Sequence, residues 1–377
     1  MRKLVFLSSL AVPQQVKLCH ALQDYFDAEF WFYESADRSR GKWWQVDLGE
    51  RCKVLKDVHF FKSGRWAGRY LALGLIEELK AFNPDIVMLG GFSIPSNIIA
   101  YRWAKRNGKN TIVFTERSRN KDGVLRKPGV IWRLLHWLYR DVDLVMTSAD
   151  DAVKQFRDEF GFGKKVIAGR YAADLDAYFE HSLRVEKEAY TYLFANRMTE
   201  IYNPIGALEI FVEVLSKYPG SRLLMNAAGE LNERCRVKIV ELGIGDAVEF
   251  LTDIQSWDEL HAVYARSDIL LLPAHFSNGN YTILEAMASG MGVVVSDRVL
   301  GIGKMVEDGV NGFNCEPTTI EFLKRIERYI RDPQLFKRHA SLNRPMVKPL
   351  SAEGTAKFFY EVIMKGLNVM DGKGLIK

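Results

Sequence analysis

The chain has 377 residues, which is enough for two domains of ordinary size. Hydrophobic residues make up 48% and charged residues 26%, a globular composition that excludes a largely disordered chain. The 52 Lys and Arg residues against 47 Asp and Glu residues give a net charge of only +5. Strong nucleic-acid binders are usually more basic, so no nucleic-acid partner is predicted.

The spacing of the cysteines and the length of the apolar runs indicate in which cellular compartment the protein is located. Cys19, Cys52, Cys235 and Cys315 lie far apart without CxxC spacing, which favours neither a disulfide framework nor a zinc site and fits a reducing compartment. No apolar run reaches the length of a membrane span. The first 15 residues imitate a signal peptide but lack a small-x-small cleavage site and continue into a helical pattern, so we interpret them as containing a buried strand. A cytoplasmic location is predicted.

The first part of the chain alternates short β-rich runs with helical patterns. Such alternation is typical of a parallel sheet whose strands are joined by helices. The predicted strands are 3–9, 28–34, 85–91, 111–116 and 144–149, and the predicted helices are 14–26, 68–82, 94–108 and 128–142.

A polar, helix-prone stretch at 174–190 interrupts this rhythm, and a second alternating set follows. The predicted strands of that set are 191–197, 221–229, 247–253, 268–274 and 292–297. The predicted helices are 204–219, 232–244, 256–267, one around Glu285, and a last amphipathic helix at 351–367.

We predict an α/β fold of two facing Rossmann-like, doubly wound domains, at 1–175 and 190–335, followed by a helical segment at 350–377. Two unrelated α/β domains are the alternative. Ligands of such sheets bind outside the carboxyl ends of the strands, so those ends are the place to look for a site.

The first three strand ends of the second domain suggest a binding site for a nucleotide. Arg197 follows the first strand, and a loop guanidinium can clamp a diphosphate with two parallel hydrogen bonds, although such a residue is more often a solvated charge. Small residues after the second strand permit close ligand approach, and residues 251–254, which end at Ile254, could line a base or apolar pocket.

The stretch 275–297 is the most informative part of the sequence. Gly279 allows a tight turn, after which Asn280, Tyr281 and Thr282 would offer free backbone N–H groups to a phosphate at a helix start. We place Glu285 in the first turn, where it would accept hydrogen bonds from sugar or ribose hydroxyls. The alternative is that Glu285 only complements the helix dipole.

The run "SDILLLPAHFSNGNYTILEAMASGMGVVVSDRVLGIGKMVEDGVNGFNCEP" resembles the donor-binding block of family 4 retaining glycosyltransferases, which have the GT-B fold. "FANRM" is similar to the family's "VGRL". The resemblance is specific over 190–317 and faint before about residue 140. It implies an acceptor-binding first domain, a nucleotide-sugar-binding second domain, and a terminal helix that crosses back to the first domain.

The resemblance also assigns roles to residues. It implies that Arg197 binds the diphosphate, that the backbone of 280–282 cradles phosphate, and that Glu285 holds ribose or sugar hydroxyls. Two of this chain's departures from the family fall on residues with a role in the donor site. Ser277 stands where a sugar-contacting glutamate is usual, and Tyr202 or Asn203 stands where a lysine is expected.

On the acceptor side the match is poor. Arg117 aligns with the family's first-domain histidine, and Glu116 stands beside it as the group that would polarise an acceptor hydroxyl. A surface ion pair between Glu116 and Arg119 or Lys121 is equally open.

The function implied by the resemblance is a metal-independent, retaining hexosyltransferase. It would use a nucleotide-sugar of UDP or GDP type as substrate, without a cofactor, and act on a lipid-linked or growing surface glycan. A catalytically silent partner subunit and a sugar-nucleotide epimerase remain alternatives. Asp141 and Asp143 form a DxD pair, but their position before a predicted strand favours a capping role over metal binding.

Residues 117–140 are basic and contain a candidate membrane surface. We predict a core stripe of Ile131, Leu134, Leu135 and Leu138, with Arg133, Trp137 and Arg140 on another face. Trp beside Arg suits a lipid headgroup interface, and a solvated basic face is the alternative. The resemblance favours peripheral contact with an anionic membrane.

Overall fold

A computed structural model describes residues 1–35, 46–62, 69–116, 129–148, 150–277, 281–299 and 302–367. These residues divide into two compact units. One unit comprises the described chain up to Ala172 together with the segment from Ala352 onward, and the other comprises Ala173–Ser351.

The first unit is built on a parallel sheet. Its described strands are β1 (Lys3–Leu10), β2 (Asp27–Glu34), β3 (Cys52–Val54), β4 (Val58–Phe61), β5 (Arg69–Ala72), β6 (Ile86–Gly90), β7 (Asn110–Thr115), β8 (Leu144–Thr147) and β9 (Val166–Ala168). Within the described residues the parallel sheet has seven strands in the order β3-β2-β1-β6-β7-β8-β9. Strand order reverses between β1 and β6.

Apolar runs explain why these segments are strands. Leu4 to Leu7 of β1 and all of β8 are buried, because helices cover both faces of a parallel sheet. The helices are α1 (Pro13–Leu22), α2 (Leu75–Phe82), α3 (Pro95–Arg106), α4 (Val130–Leu138) and α5 (Asp150–Lys154).

The predicted helix over 68–82 is wrong in its first part. Arg69–Ala72 forms β5, which pairs antiparallel with β4, and the helix α2 begins only at Leu75. Tyr70 and Ala72 are buried whereas Arg69 and Leu71 are half-buried, and this alternation has the period of a strand.

The second unit has a similar organisation. Its described strands are β10 (Thr191–Phe194), β11 (Arg222–Asn226), β12 (Val248–Leu251), β13 (Ile269–Leu272), β14 (Gly292–Ser296) and β15 (Phe313–Cys315). They form one parallel sheet in the order β12-β11-β10-β13-β14-β15. Its helices are α6 (Asp176–Phe179), α7 (Pro204–Lys217), α8 (Asn232–Leu242), α9 (Leu260–Ala265), α10 (Tyr281–Ala288), α11 (Ile302–Met305), α12 (Thr319–Arg331) and α13 (Gln334–Val347).

The centre of the second sheet is fully buried. Every residue of β13 and β14 is buried, as their apolar runs predict for strands covered on both faces. The first residue of β14, Gly292, has no room for a side chain, because a Cβ there would lie 2.9 Å from the Phe336 ring and 3.0 Å from the Tyr329 ring. Helices α12 and α13 thus pack directly on this end of the strand.

The last described helix, α14 (Ala352–Gly366), belongs to the first unit. Tyr360 stacks on Tyr25 just beyond α1, with ring centroids 5.1 Å apart. Phe359 lies 5.8 Å from the ring of Phe114 on β7. The chain therefore returns to the first sheet after completing the second unit.

Helix α4 does not bury the predicted core stripe. Leu135 is buried and Leu138 half-buried, but Ile131 and Leu134 are exposed. Trp137, Arg133 and Arg140 are exposed as well. Across the described ranges, no helix combines the length and apolar character that a membrane crossing requires.

Candidate active site

In the second sheet, the order in which the chain adds strands reverses between β10 and β13. In doubly wound sheets the loops that leave two such strands diverge and open a crevice for a ligand. Here those loops are residues 195–203, which contain Arg197, and the stretch that begins at 273–277 after β13. The sequence-predicted residues of the two stretches therefore converge on the switch point.

Arg197 has the environment expected of an anion-binding residue. Its side chain is half-buried in the loop after β10. Within the described part of the chain, no hydrogen bond or ion pair engages its guanidinium. A partly buried guanidinium without a counter-charge is costly unless a ligand supplies the negative charge.

The backbone next to Arg197 is fixed by the loop that follows β11. The Met198 N–H donates to the Ala228 carbonyl at 2.7 Å, and the Met198 carbonyl accepts from the Leu231 N–H at 2.9 Å. A Cβ at Gly229, whose φ is 138°, would overlap the Met198 carbonyl oxygen. A glycine at 229 is therefore required for the two loops to cross.

The loop of Arg197 is also tied to the loop after β13. The Ile201 carbonyl accepts from the N–H groups of His275 at 2.8 Å and Phe276 at 3.2 Å. Thr282, in the first turn of α10, donates from Oγ1 to Oδ1 of the buried Asn196 at 3.1 Å. Arg197 therefore lies one residue from a direct contact with the start of α10.

Helix α10 begins at Tyr281, and Tyr281 and Thr282 are both half-buried. The predicted turn residues Gly279 and Asn280 lie outside the described residues. The positive end of a helix dipole attracts a phosphate. The start of α10 and Arg197 are therefore electrostatically complementary to an anion.

The predicted position of Glu285 in the first turn is wrong. Since α10 starts at Tyr281, Glu285 lies in the second turn, and the first turn contains no acid. Glu285 is 3% exposed, and the buried Tyr264 on α9 donates a hydrogen bond from its hydroxyl to Oε2. A dipole effect falls off within the first turn, so complementing the dipole does not explain this residue either.

Burial raises the pKa of Glu285 from 4.5 to about 7. The nearby Asp174 carboxylate raises that pKa as well, whereas the hydrogen bond from Tyr264 lowers it. Asp174 accepts from Nε1 of Trp257 at 3.2 Å. Near neutral pH, Glu285 can therefore exchange a proton or present a carboxylate oxygen to a hydroxyl.

The other predicted residues of the second unit occupy different settings. Ser277 is buried and forms an isolated parallel bridge with Val299. Ile254, after β12, is half-buried and packs on the apolar cluster around β13. Asn203 donates from Nδ2 to the Pro273 carbonyl at 3.1 Å and accepts from the Gly206 N–H at 3.0 Å, so it caps α7.

In the first unit, Glu116 directly follows β7 and is exposed. Its Oε1 accepts a hydrogen bond from the Tyr171 hydroxyl at 2.6 Å. The alternative partners Arg119 and Lys121 lie outside the described residues. Glu116 thus stands at the carboxyl edge of the first sheet, held by a tyrosine that sequence reasoning did not single out.

Asp143 of the DxD pair forms hydrogen bonds that connect secondary-structure elements. Asp143 accepts from Lys105 Nζ at 3.1 Å and from the Thr111 N–H at 2.7 Å, which joins α3, β7 and the start of β8. Among the described residues, no three His, Cys, Asp or Glu side chains are grouped closely enough to hold a metal ion.

Solved structures identify the class of fold. A glycosyltransferase from Rickettsia africae superimposes with a TM-score of 0.73 at 14% identity, over 98% of this chain and 100% of that one. Anabaena HepE in complex with UDP superimposes with a TM-score of 0.67 at 16% identity, over 96% and 100%. The predicted α/β fold class, with parallel sheets in two domains as in GT-B glycosyltransferases, is confirmed.

The sequence of the second unit is similar to a known family. Residues 178–344 match the family described as Glycosyl transferases group 1. An uncharacterized glycosyltransferase of Haemophilus influenzae is 29% identical over 147 residues, which are 39% of this chain and 41% of that protein. The matched part thus spans less than half of that relative.

Proposed function

We propose that this protein is a retaining glycosyltransferase that moves a hexose from a nucleoside-diphosphate sugar to a hydroxyl of a lipid-linked or growing surface glycan. The observation that carries the proposal is the half-buried Arg197, which has no side-chain partner among the described residues. It stands at the switch point of a group 1 domain, beside the residue that contacts the start of α10.

The donor would bind through its diphosphate. Arg197 can donate two parallel hydrogen bonds to the phosphate oxygens, and the positive dipole at the start of α10 favours the same negative charge. Ile254 would border the base of the nucleoside. Because Oε2 of Glu285 is engaged by Tyr264, its Oε1 would accept from a ribose or sugar hydroxyl.

In the transfer step, the acceptor oxygen attacks the anomeric carbon on the face from which the diphosphate leaves. The bond between that carbon and the phosphate oxygen breaks, its electron pair stays on the phosphate, and the phosphate oxygen takes the acceptor's proton. The new bond then has the configuration of the old one. Arg197 and the helix start would stabilise the charge that develops on the leaving diphosphate.

This route requires neither a metal ion nor a pair of catalytic carboxylates. On the acceptor side, Glu116 would polarise the attacking hydroxyl while Tyr171 keeps its carboxylate in place. The four cysteines, Cys19, Cys52, Cys235 and Cys315, are free thiols, which is consistent with the cytoplasmic location that we propose for the reaction.

The test is an assay of UDP- and GDP-hexoses with polyprenyl-linked and oligosaccharide acceptors, in the presence of EDTA. We expect acceptor-dependent release of nucleoside diphosphate, and NMR of the product should show the anomeric configuration of the donor. Conversion of the donor without an acceptor would indicate an epimerase instead. An inverted product, or no turnover with any donor, would overturn the proposal.

A further inference from the structure

Helix α4 presents an apolar face to solvent. Val130, Ile131, Leu134 and Trp137 are 81%, 67%, 62% and 61% exposed, respectively. At about 100° per residue, positions 130, 134 and 137 form one stripe and position 131 borders it. Isolated exposed apolar residues are normal, but a stripe of four large ones marks an interaction surface.

The opposite face of α4 is firmly packed, so the exposed stripe is not the result of a loosely placed helix. Leu135 and Tyr139 are buried in the core of the first unit. Trp132 stacks on Phe160 with ring centroids 4.2 Å apart. These three side chains thus anchor the helix, and the four side chains of the apolar stripe point to solvent.

One edge of the apolar stripe is cationic. Arg133 and Arg140 are exposed, and the Arg140 guanidinium lies 5.8 Å from the centre of the Trp137 ring. Lys165, also exposed, donates to the Arg140 carbonyl at 2.8 Å. The helix itself has no acidic residue, and the adjacent Asp141 pairs with Arg140 at 3.4 Å. Positive charge therefore exceeds negative charge at this edge.

We infer that α4 docks on an anionic lipid surface, with the stripe of Val130, Ile131, Leu134 and Trp137 inserted at the level of the headgroups. Arg133 and Arg140 contact lipid phosphates at its edge. A helix with large apolar side chains on one face and Arg beside them has the character of an interfacial helix.

A second copy of the chain is a poorer occupant of the same face. An antiparallel two-fold contact between two α4 helices would bring the cationic edges of both copies together, and like charges across an interface oppose association. An anionic membrane can bury the apolar stripe and pair lipid phosphates with its cationic edge. The inference goes beyond the proposed sugar transfer, since it concerns where the protein sits.

The test is flotation of the full chain with vesicles, without donor or acceptor. Vesicles of phosphatidylcholine with phosphatidylglycerol are compared with phosphatidylcholine alone, at low and high salt. The variant I131S/L134S/W137S removes apolar area, and R133Q/R140Q removes charge. V237S/V240S is the matched control, because Val237 and Val240 are 59% and 80% exposed on α8 of the other unit.

We expect the wild type and the α8 control to float with anionic vesicles, and the apolar variant to lose about tenfold or more in partitioning at either salt concentration. The charge variant should lose the preference for anionic over neutral vesicles. Equal flotation of the wild type and the apolar variant would overturn the inference. A dimer in light scattering that the apolar variant dissociates would assign the face to a second copy instead. Because no donor or acceptor is present, the result is independent of whether the protein transfers sugar.

Discussion

Tyr264 on α9 donates a hydrogen bond to the Glu285 carboxyl group on α10, and both side chains are almost completely buried. The pair connects two helices that flank β13 in the chain. It fixes a carboxyl group whose pKa is raised to about 7. The ionisation of Glu285 and the geometry of α10 are therefore linked through one phenol.

Replacing Tyr264 with Phe should destabilise the protein by about 1–3 kcal/mol, because a buried carboxyl group loses its donor. Denaturation with urea at pH 8 measures the change in the free energy of unfolding. The matched control is Tyr139→Phe. Tyr139 is fully buried and its hydroxyl has no hydrogen-bond partner among the described residues, so that variant should be neutral or slightly more stable. Equal losses in both variants would mean that the hydrogen bond to Glu285 contributes nothing.

Replacing Glu285 with Gln should change how stability depends on pH. The folded protein keeps the Glu285 proton up to about pH 7, whereas the ordinary value is 4.5. The native state then binds more protons than the unfolded chain between these values, so the free energy of unfolding falls as pH rises through this window.

Glutamine does not titrate, so the variant should gain stability relative to the wild type from pH 5 to pH 8, by on the order of 1–3 kcal/mol. Urea denaturation of both proteins at the two pH values measures the difference. A stability difference that stays constant from pH 5 to pH 8 would show that the carboxyl group titrates normally.

Asn203 and Tyr202 are the two residues that could stand where the family resemblance leads one to expect a lysine, and Asn203 has a structural role. Its φ is 55°, in the left-handed region, and its side chain caps α7. Asn203→Ala should cost about 1–2 kcal/mol, because the cap is lost and alanine is strained at this φ. Asn203→Gly removes the cap but fits the backbone, so it should cost less. Thermal melting of both variants distinguishes the two contributions, and equal losses would rule out backbone strain.

Ser277→Ala tests whether the serine acts on the transferred sugar. If Ser277 replaces a sugar-contacting glutamate, loss of its hydroxyl should lower the turnover number by about 2- to 10-fold, the effect of one neutral hydrogen bond. The Kd for free nucleoside diphosphate should stay the same. Steady-state kinetics together with calorimetric titration measure both quantities. A change in nucleotide affinity with unchanged turnover would place Ser277 at the nucleotide instead.

Sequence patterns predicted the fold where the local signal has one interpretation. The runs that became β8, β13 and β14 are mainly apolar and short, and helices lie between the strands, so parallel sheets were the simplest solution. The segment Arg69–Ala72 was mistaken for helix because four residues before a true helix show too little periodicity.

The errors in side-chain placement have a common cause. Ile131 and Leu135 differ by one turn, and only the packing of Trp132 and Tyr139 shows which side of α4 faces the core. Likewise, Tyr264 lies 21 residues before Glu285 in the chain, so no local pattern connects them. Local sequence identifies which residues can do chemistry, whereas tertiary packing decides which of them meet.

The measurement that tests the account most directly is the affinity of the Arg197→Ala variant for nucleoside diphosphates. A charged hydrogen bond contributes on the order of 1.5–3 kcal/mol, so the Kd for UDP or GDP, whichever the wild type binds, should rise by about ten- to a hundredfold. Arg222→Ala is the control, because Arg222 is exposed at the opposite, amino-terminal end of β11. If titration calorimetry gives the same Kd for the wild type and both variants, Arg197 does not bind the diphosphate and the proposed donor site is contradicted.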